Sequence, residues 1–193
     1  MSTSSFSTRL DALANVLTIG TCLIVCALVI SKVYRQATAA VPDVFPRDTV
    51  LGSTDDVRFD AAPLTILVGL QTDCRYCADS MPGFREIESY VTSRKDGLVS
   101  IVAVGAESRD KLAQYLQTNR LTVYRPVSIT RGSVLAPVAM RTPALVLVNR
   151  LGAVLASWPG VLTPERTADV IAHIESALPG RPSRTVPDSG GGR

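Results

Sequence analysis

The stretch "QTDCRYCADSMPGF", residues 71–84, decides how the whole chain is read. Cys74 and Cys77 stand two residues apart within it. The apolar run "LTILVGL", 64–70, comes just before and is rich in branched residues, the pattern of a strand buried on both faces. After Cys77, apolar residues recur at Met81, Phe84, Ile87 and Val91, spacings of 4, 3, 3 and 4 that mark one face of a helix. The cysteine pair therefore falls where a strand ends and a helix begins. Unpaired N–H groups and the positive end of the helix dipole favour a thiolate there. Arg75 adds a positive charge beside Cys74, and Asp73 opposes it. Cys77 sits about one turn further on, within disulfide reach.

Three other uses of such a pair fit less well. Covalent haem attachment needs a histidine directly after the second cysteine, and Ala78 is there. A structural zinc site needs four ligands. The remaining cysteines, Cys22 and Cys26, lie in an apolar N-terminal run, and the single histidine, His173, lies far along the chain. Two inert thiols at a helix start would be a chance placement. The redox reading uses the placement: Cys74 attacks a disulfide and Cys77 resolves the mixed disulfide. The Cys74–Cys77 bond then serves as the redox group, with no metal and no nucleotide cofactor.

Outward from the pair, strands and helices alternate. "LVSIVAVG" (98–105) reads as a second buried strand. Ser108 is placed to cap "RDKLAQYLQTN", with Leu112, Tyr115 and Leu116 on one face. "ALVLVN" (144–149) is a third strand, and "NRLG" turns it into the hairpin partner "AVLASW" (153–158). Thr163 caps a final helix that has Pro164 at its first position, Glu165 in its first turn, and Ile171, Ile174 and Leu178 inward. The order strand, helix, strand, helix, strand, strand, helix predicts an α/β fold: a mixed sheet with helices on its faces. Glu86 and Glu88 read as solvated helix surface, His173 as a rim residue and Trp158 as hairpin packing.

The N-terminus carries a different signal. "ALANVLTIGTCLIVCALVI", 12–30, has 19 residues and no charge. As a helix it would be about 28 Å long, close to the hydrocarbon thickness of a bilayer. "ATA" at 37–39 resembles a cleavage site, but the run exceeds a usual signal-peptide core, and Lys32 and Arg35 intervene. An uncleaved membrane anchor is the expectation, with Cys22 and Cys26 as small apolar residues of its helix. Lys32 and Arg35 against Arg9 lean the larger domain toward the cytoplasm, but long domains translocate largely regardless of flanking charge. The chain of 193 residues has a net charge of +3 and no Lys/Arg-rich run with interleaved aromatics, so nucleic acid is not an expected partner. The tail 179–193, "PGRPSRTVPDSGGGR", is almost free of apolar residues and reads as disordered.

These features together resemble the thioredoxin superfamily. The C-x-x-C of Cys74–Cys77 at a strand–helix junction is one match. Pro82, five residues after Cys77, stands where the family kinks its first helix. Thr142–Pro143 before a strand looks like the family's cis-proline loop, which faces the cysteines. The strand, Asn149 to Gly152, the next strand and Gly160 look like the closing hairpin of the TlpA-like branch. That resemblance spans residues 60–178 and implies a membrane-anchored thiol–disulfide oxidoreductase. Thr142, Pro143, Arg75 and Tyr76 would then shape a groove for an extended protein substrate. Electrons would come from a membrane dithiol donor. Members of the branch commonly act outside the bacterial cytoplasmic membrane, which implies a single-pass protein with its C-terminal domain facing the periplasm or cell exterior.

The expected layout is a cytoplasmic tail at 1–11, an anchor at 12–30, a stalk at 31–59, a thioredoxin-like domain at 60–178 and the tail at 179–193. The sequence departs from the family at several points. Asp73 replaces the usual Trp, Val68 stands where thioredoxin has a buried acid, and Ser80 stands where some TlpA-like reductases have Glu. Two rivals remain: a tethered adaptor of the same fold with a structural disulfide, and a thiol peroxidase. The second lacks a T-x-x-C element, since position 71 is Gln71.

Overall fold

The computed structural model of the protein describes residues 20–22, 24–29 and 43–178. Its first strand, β1 (Leu64–Gly69), is buried at every position. Two short helices follow, α1 (Arg75–Asp79) and α2 (Met81–Arg94). Ser80 separates them, and Pro82 lies in the first turn of α2, where its missing N–H costs no helical bond. Then come β2 (Val99–Gly105) and α3 (Arg109–Thr118). Ser108 caps α3, its hydroxyl accepting from the Lys111 N–H. The chain continues through β3 (Tyr124–Ser128), α4 (Ala136–Met140), β4 (Ala144–Asn149), β5 (Val154–Pro159) and α5 (Pro164–Ala177). Thr163 caps α5 by accepting from the Arg166 N–H.

The sheet runs β3-β2-β1-β4-β5. β1, β2 and β3 are parallel, while β4 is antiparallel to β1 and β5 to β4. The mixed sheet with a closing hairpin is the expected one, with one strand added. β3 was not visible in the sequence because "YRPVS" carries Arg125 and Pro126 and lacks a clean alternation. It is an edge strand, where a proline lacking N–H is tolerated. The one-turn helix α4 was missed as well, being too short to show a helical period.

Alternate residues of each strand serve opposite faces, as the pleat requires. Ile66, Val68, Ile101, Ala103, Leu145 and Leu147 join one cluster with Met81, Phe84 and Ile87 of α2, Leu112 and Leu116 of α3, and Val170 and Ile174 of α5. Leu67, Val102, Val104, Val146 and Val148 join the other, which is closed by Leu135 and Val138 and by Val44, Phe45, Leu51, Val57 and Phe59. Those last five residues lie in the segment read as stalk. Residues 43–59 cover the second sheet face, and Val50 bridges to Ala153.

Glu88 also departs from the sequence reading. It is a buried carboxylate, not a solvated one. Its Oε1 accepts from the Thr122 N–H at 2.7 Å, the Thr122 hydroxyl at 2.8 Å and the Val123 N–H at 2.9 Å. The side chain of α2 thereby ties down the loop that leads into β3. Helical periodicity could not show this, because the donors lie 34 and 35 residues away.

The chain divides into two units, Met1–Val41 and Pro42–Arg193. In the first, residues 20–22 and 24–29 are helical. Most of the anchor expected at 12–30 lies outside the described residues, as do the tails at 1–11 and 179–193. Among the described residues, no helix is long and apolar enough to cross a membrane.

Candidate active site

The strand register assembles the site. Gly69, the last residue of β1, pairs with Ala144, the first of β4. The loop after β1 and the loop before β4 therefore meet at one end of the sheet. The first carries Cys74 and Cys77, and the second carries Thr142 and Pro143. The Thr142–Pro143 peptide bond is cis. A Cβ at Gly69 would run into the Val138 carbonyl oxygen, so glycine lets α4 pack close behind this junction.

Cys74 is the N-cap of α1, in extended conformation at φ −86° and ψ 110°. Its sulfur accepts a hydrogen bond from the Cys77 N–H at 3.1 Å. An amide of the first helical turn, which has no partner within the helix, thus points at the sulfur. Cys74 is partly exposed and Cys77 is fully buried, and both are free thiols. Burial, followed by the hydrogen bond with Cys74, pushes the Cys77 thiol up to about 12. The Gln71 backbone and the Thr142 side chain lie close enough to Cys77 to act in the opposite direction. Thr142 is thus brought to the cysteine pair, and buried Pro143 follows directly. The Pro143 carbonyl accepts from the Gly160 N–H at 2.8 Å, which ties the loop to the end of the hairpin. Arg75 and Tyr76 are exposed on α1, Tyr76 by 60%.

Ser80 is fully buried behind the pair. Its hydroxyl donates to the Tyr76 carbonyl at 2.7 Å and accepts from the Leu162 N–H at 3.1 Å. The position thus anchors α1 to the chain entering α5. Trp158 packs in the hairpin, and its indole N–H donates to Asp169 at 2.6 Å.

Sequence reasoning missed a group beside the pair. Glu107, two residues past the end of β2, accepts through Oε1 from the Thr72 N–H at 3.0 Å and the Thr72 hydroxyl at 2.6 Å. Lys111 approaches the same oxygen at 3.5 Å and Asp73 at 3.7 Å. Tyr115 of α3 is half-buried nearby. Burial, then the charges of Cys77, Cys74 and Glu107, push its hydroxyl up to about 12. A usable signal did exist, because β1 and β2 are parallel neighbours and sites in such sheets gather beyond the carboxyl ends of the strands.

The exposure difference makes a checkable prediction. Brief treatment of the reduced protein with iodoacetamide at mildly acidic pH should label Cys74 many-fold faster than Cys77. Peptide mapping reads the ratio, and preferential labelling of Cys77 would reverse the assigned roles. Cys77 should become reactive only in strong alkali or on unfolding.

No protein-family model matches the chain, and no curated protein is significantly similar to it. Solved structures are similar in fold. A candidate protein disulfide isomerase from Bacteroides thetaiotaomicron superposes with a TM-score of 0.55 at 14% identity, covering 70% of this chain and 92% of that one. A candidate thiol:disulfide interchange protein DsbE from Chlorobium tepidum gives 0.49 at 17% identity, covering 70% and 93%. StoA from Bacillus subtilis gives 0.46 at 16% identity, covering 68% and 98%. With its strand order, its cysteine pair at the head of α1 and its cis-proline loop alongside, the described domain has the thioredoxin-like fold, on which proteins named as thiol–disulfide oxidoreductases are built.

Proposed function

We propose that this chain is a membrane-anchored thiol–disulfide oxidoreductase. It exchanges the Cys74–Cys77 dithiol or disulfide with protein substrates outside the cytoplasm. One observation carries the reading. A partly exposed cysteine at a helix start and a fully buried one about a turn later lie at the end of the sheet to which the β1–β4 register brings Thr142 and Pro143. Cys74 attacks the substrate disulfide, and Cys77 displaces the substrate from the mixed disulfide. The loop before Pro143 offers backbone to an extended peptide, and Arg75 and Tyr76, exposed on α1, are the side chains assigned to the same substrate.

The placement rests on the uncharged run at 12–30 and on the chemistry. Soluble cytosolic reductants do not reach the outer side of the membrane, so a tethered enzyme there takes electrons from a membrane dithiol donor. Two measurements test the proposal. Full-chain protein in detergent micelles should accelerate reduction of a disulfide-bonded protein by dithiothreitol. No acceleration would favour a non-catalytic adaptor, and peroxide consumption in its place would favour a peroxidase. Alkaline phosphatase fused after Leu178 should be active in cells, and the domain should be cut by protease added to spheroplasts. An inactive fusion and a protected domain would place the domain in the cytoplasm.

A further inference from the structure

Two arginines stand at the reacting loops without a carboxylate to answer them. Arg166 lies in the first turn of α5 and is half-buried. Its Nη1 donates to the Val161 carbonyl at 3.1 Å and lies 3.4 Å from where a Cβ on Gly160 would stand. The Gly160 N–H in turn holds the Pro143 carbonyl at 2.8 Å. The guanidinium is thus two contacts away from the cis-proline loop. Arg75 directly follows Cys74 and is exposed on α1. None of the ion pairs among the described residues includes either arginine.

The carboxylates of the surrounding elements do not neutralise them. Asp73 and Glu107 share Lys111, at 3.7 and 3.5 Å. Asp169 accepts from the Trp158 indole N–H at 2.6 Å and faces His173 at 3.4 Å. Asp79 on α1 and Glu165 on α5 are exposed and pair with neither arginine. Helix stability does not account for Arg166 either, because a cation in the first turn works against the helix dipole. Val161 takes one guanidinium donor, and the others have no hydrogen-bond partner among the described residues.

We propose that Arg166 and Arg75 recognise a carboxylate of the substrate, so that the preferred protein segment carries acidic residues beside its reactive cysteine. The inference rests on the exchange chemistry proposed above and names the class of substrate for it. A segment paired with the backbone at Thr142 comes within a side chain's reach of the turn that Arg166 holds, since that turn is bonded to Pro143. A guanidinium takes a carboxylate through two parallel N–H···O bonds, which orient the partner as well as attract it. Arg75 adds attraction next to the nucleophile, where complementary charge speeds encounter and rejects basic segments.

The test compares substrates that differ only in charge. Full-chain protein with Cys22→Ser and Cys26→Ser, reduced and in micelles, is mixed with three peptides. Each carries its one cysteine as a mixed disulfide with coloured thionitrobenzoate, flanked by glutamates, glutamines or lysines. Attack of the Cys74 thiolate on the peptide sulfur forms the Cys74–peptide disulfide and releases the coloured thiolate. Each rate is divided by that of dithiothreitol with the same peptide, which removes the peptide's own reactivity. The parent should prefer the glutamate peptide to the glutamine peptide about tenfold and react slowest with the lysine peptide. The differences should shrink as salt is raised. Arg166→Gln and Arg75→Gln should each lower the preference, and Arg166→Glu should turn it toward the lysine peptide, which a structural role for Arg166 would not do. Equal relative rates of the parent with all three peptides would overturn the inference and leave the exchange chemistry standing, as would a parental preference kept in Arg166→Glu. If the parent releases no colour from any peptide, the exchange reading fails and this inference fails with it.

Discussion

Cys77→Ser protein is expected to stop halfway through the reaction, with its substrate still attached. Cys74 keeps its partial exposure and its place at the head of α1, so the first displacement proceeds. The serine hydroxyl that replaces the buried thiol is a far weaker nucleophile and cannot expel the substrate. Turnover should fall about a thousandfold or more, as when a residue of an interdependent catalytic set is removed. A disulfide-linked adduct should accumulate on non-reducing gels and vanish with dithiothreitol. Cys74→Ser should abolish both turnover and adduct, because Cys77 is fully buried and out of reach of a protein substrate. An adduct held by Cys77 in the Cys74→Ser protein would exchange the two roles. Equal, unimpaired turnover in both variants would remove the pair from the chemistry altogether.

Glu88→Ala is the substitution expected to harm the fold most without touching the cysteines. The carboxylate accepts three hydrogen bonds of 2.7, 2.8 and 2.9 Å from Thr122 and Val123. Its removal leaves two backbone N–H groups and a hydroxyl with no acceptor at the turn into β3. Bonds to a charged acceptor contribute more than neutral ones, and orphaned buried donors add their own desolvation cost. A loss of about 3 kcal/mol follows, a fall of roughly 10 °C in Tm for a domain of this size. Glu88→Gln keeps one acceptor oxygen and should lose roughly half as much. Thermal unfolding of the full chain in micelles, followed by circular dichroism, measures both. A Glu88→Ala shift within a degree of the parent would mean that water or a neighbour replaces the carboxylate without cost.

Short-range pattern made much of this protein readable. The apolar runs at 64–70, 98–105 and 144–149 became β1, β2 and β4 within a residue at either end. The caps at Ser108 and Thr163 were legible because a cap is a contact with an amide three residues on. The cysteine pair was legible for the same reason: its position at the head of α1 depends only on where the strand stops and the helical period starts.

Contacts between segments far apart in sequence were not legible. Val44, Phe45, Val57 and Phe59 looked like scattered apolar residues in a proline-marked stalk, yet they close one face of the sheet. The edge strand β3 hid behind Arg125 and Pro126, residues an edge accepts because one side of it has no ladder to complete. Glu88 and Glu107 carry no local mark at all, since their donors lie 34 or 35 positions away.

By itself the sequence determined the α/β alternation, the strand–helix junction that holds Cys74 and Cys77, and the cysteine-based chemistry open to it. Each of these follows from residues within a turn or a strand of one another, where backbone geometry leaves few choices. The resemblance implied that the loop of Thr142 and Pro143 faces the pair; how the sheet brings it there, and which carboxylate ties down the loop before Cys74, came from the tertiary structure. Those are outcomes of register: Gly69 beside Ala144 brings Thr142 to Cys77, and β2 beside β1 brings Glu107 to Thr72. A register is set by the packing of both sheet faces at once, and no single stretch of the chain carries that information.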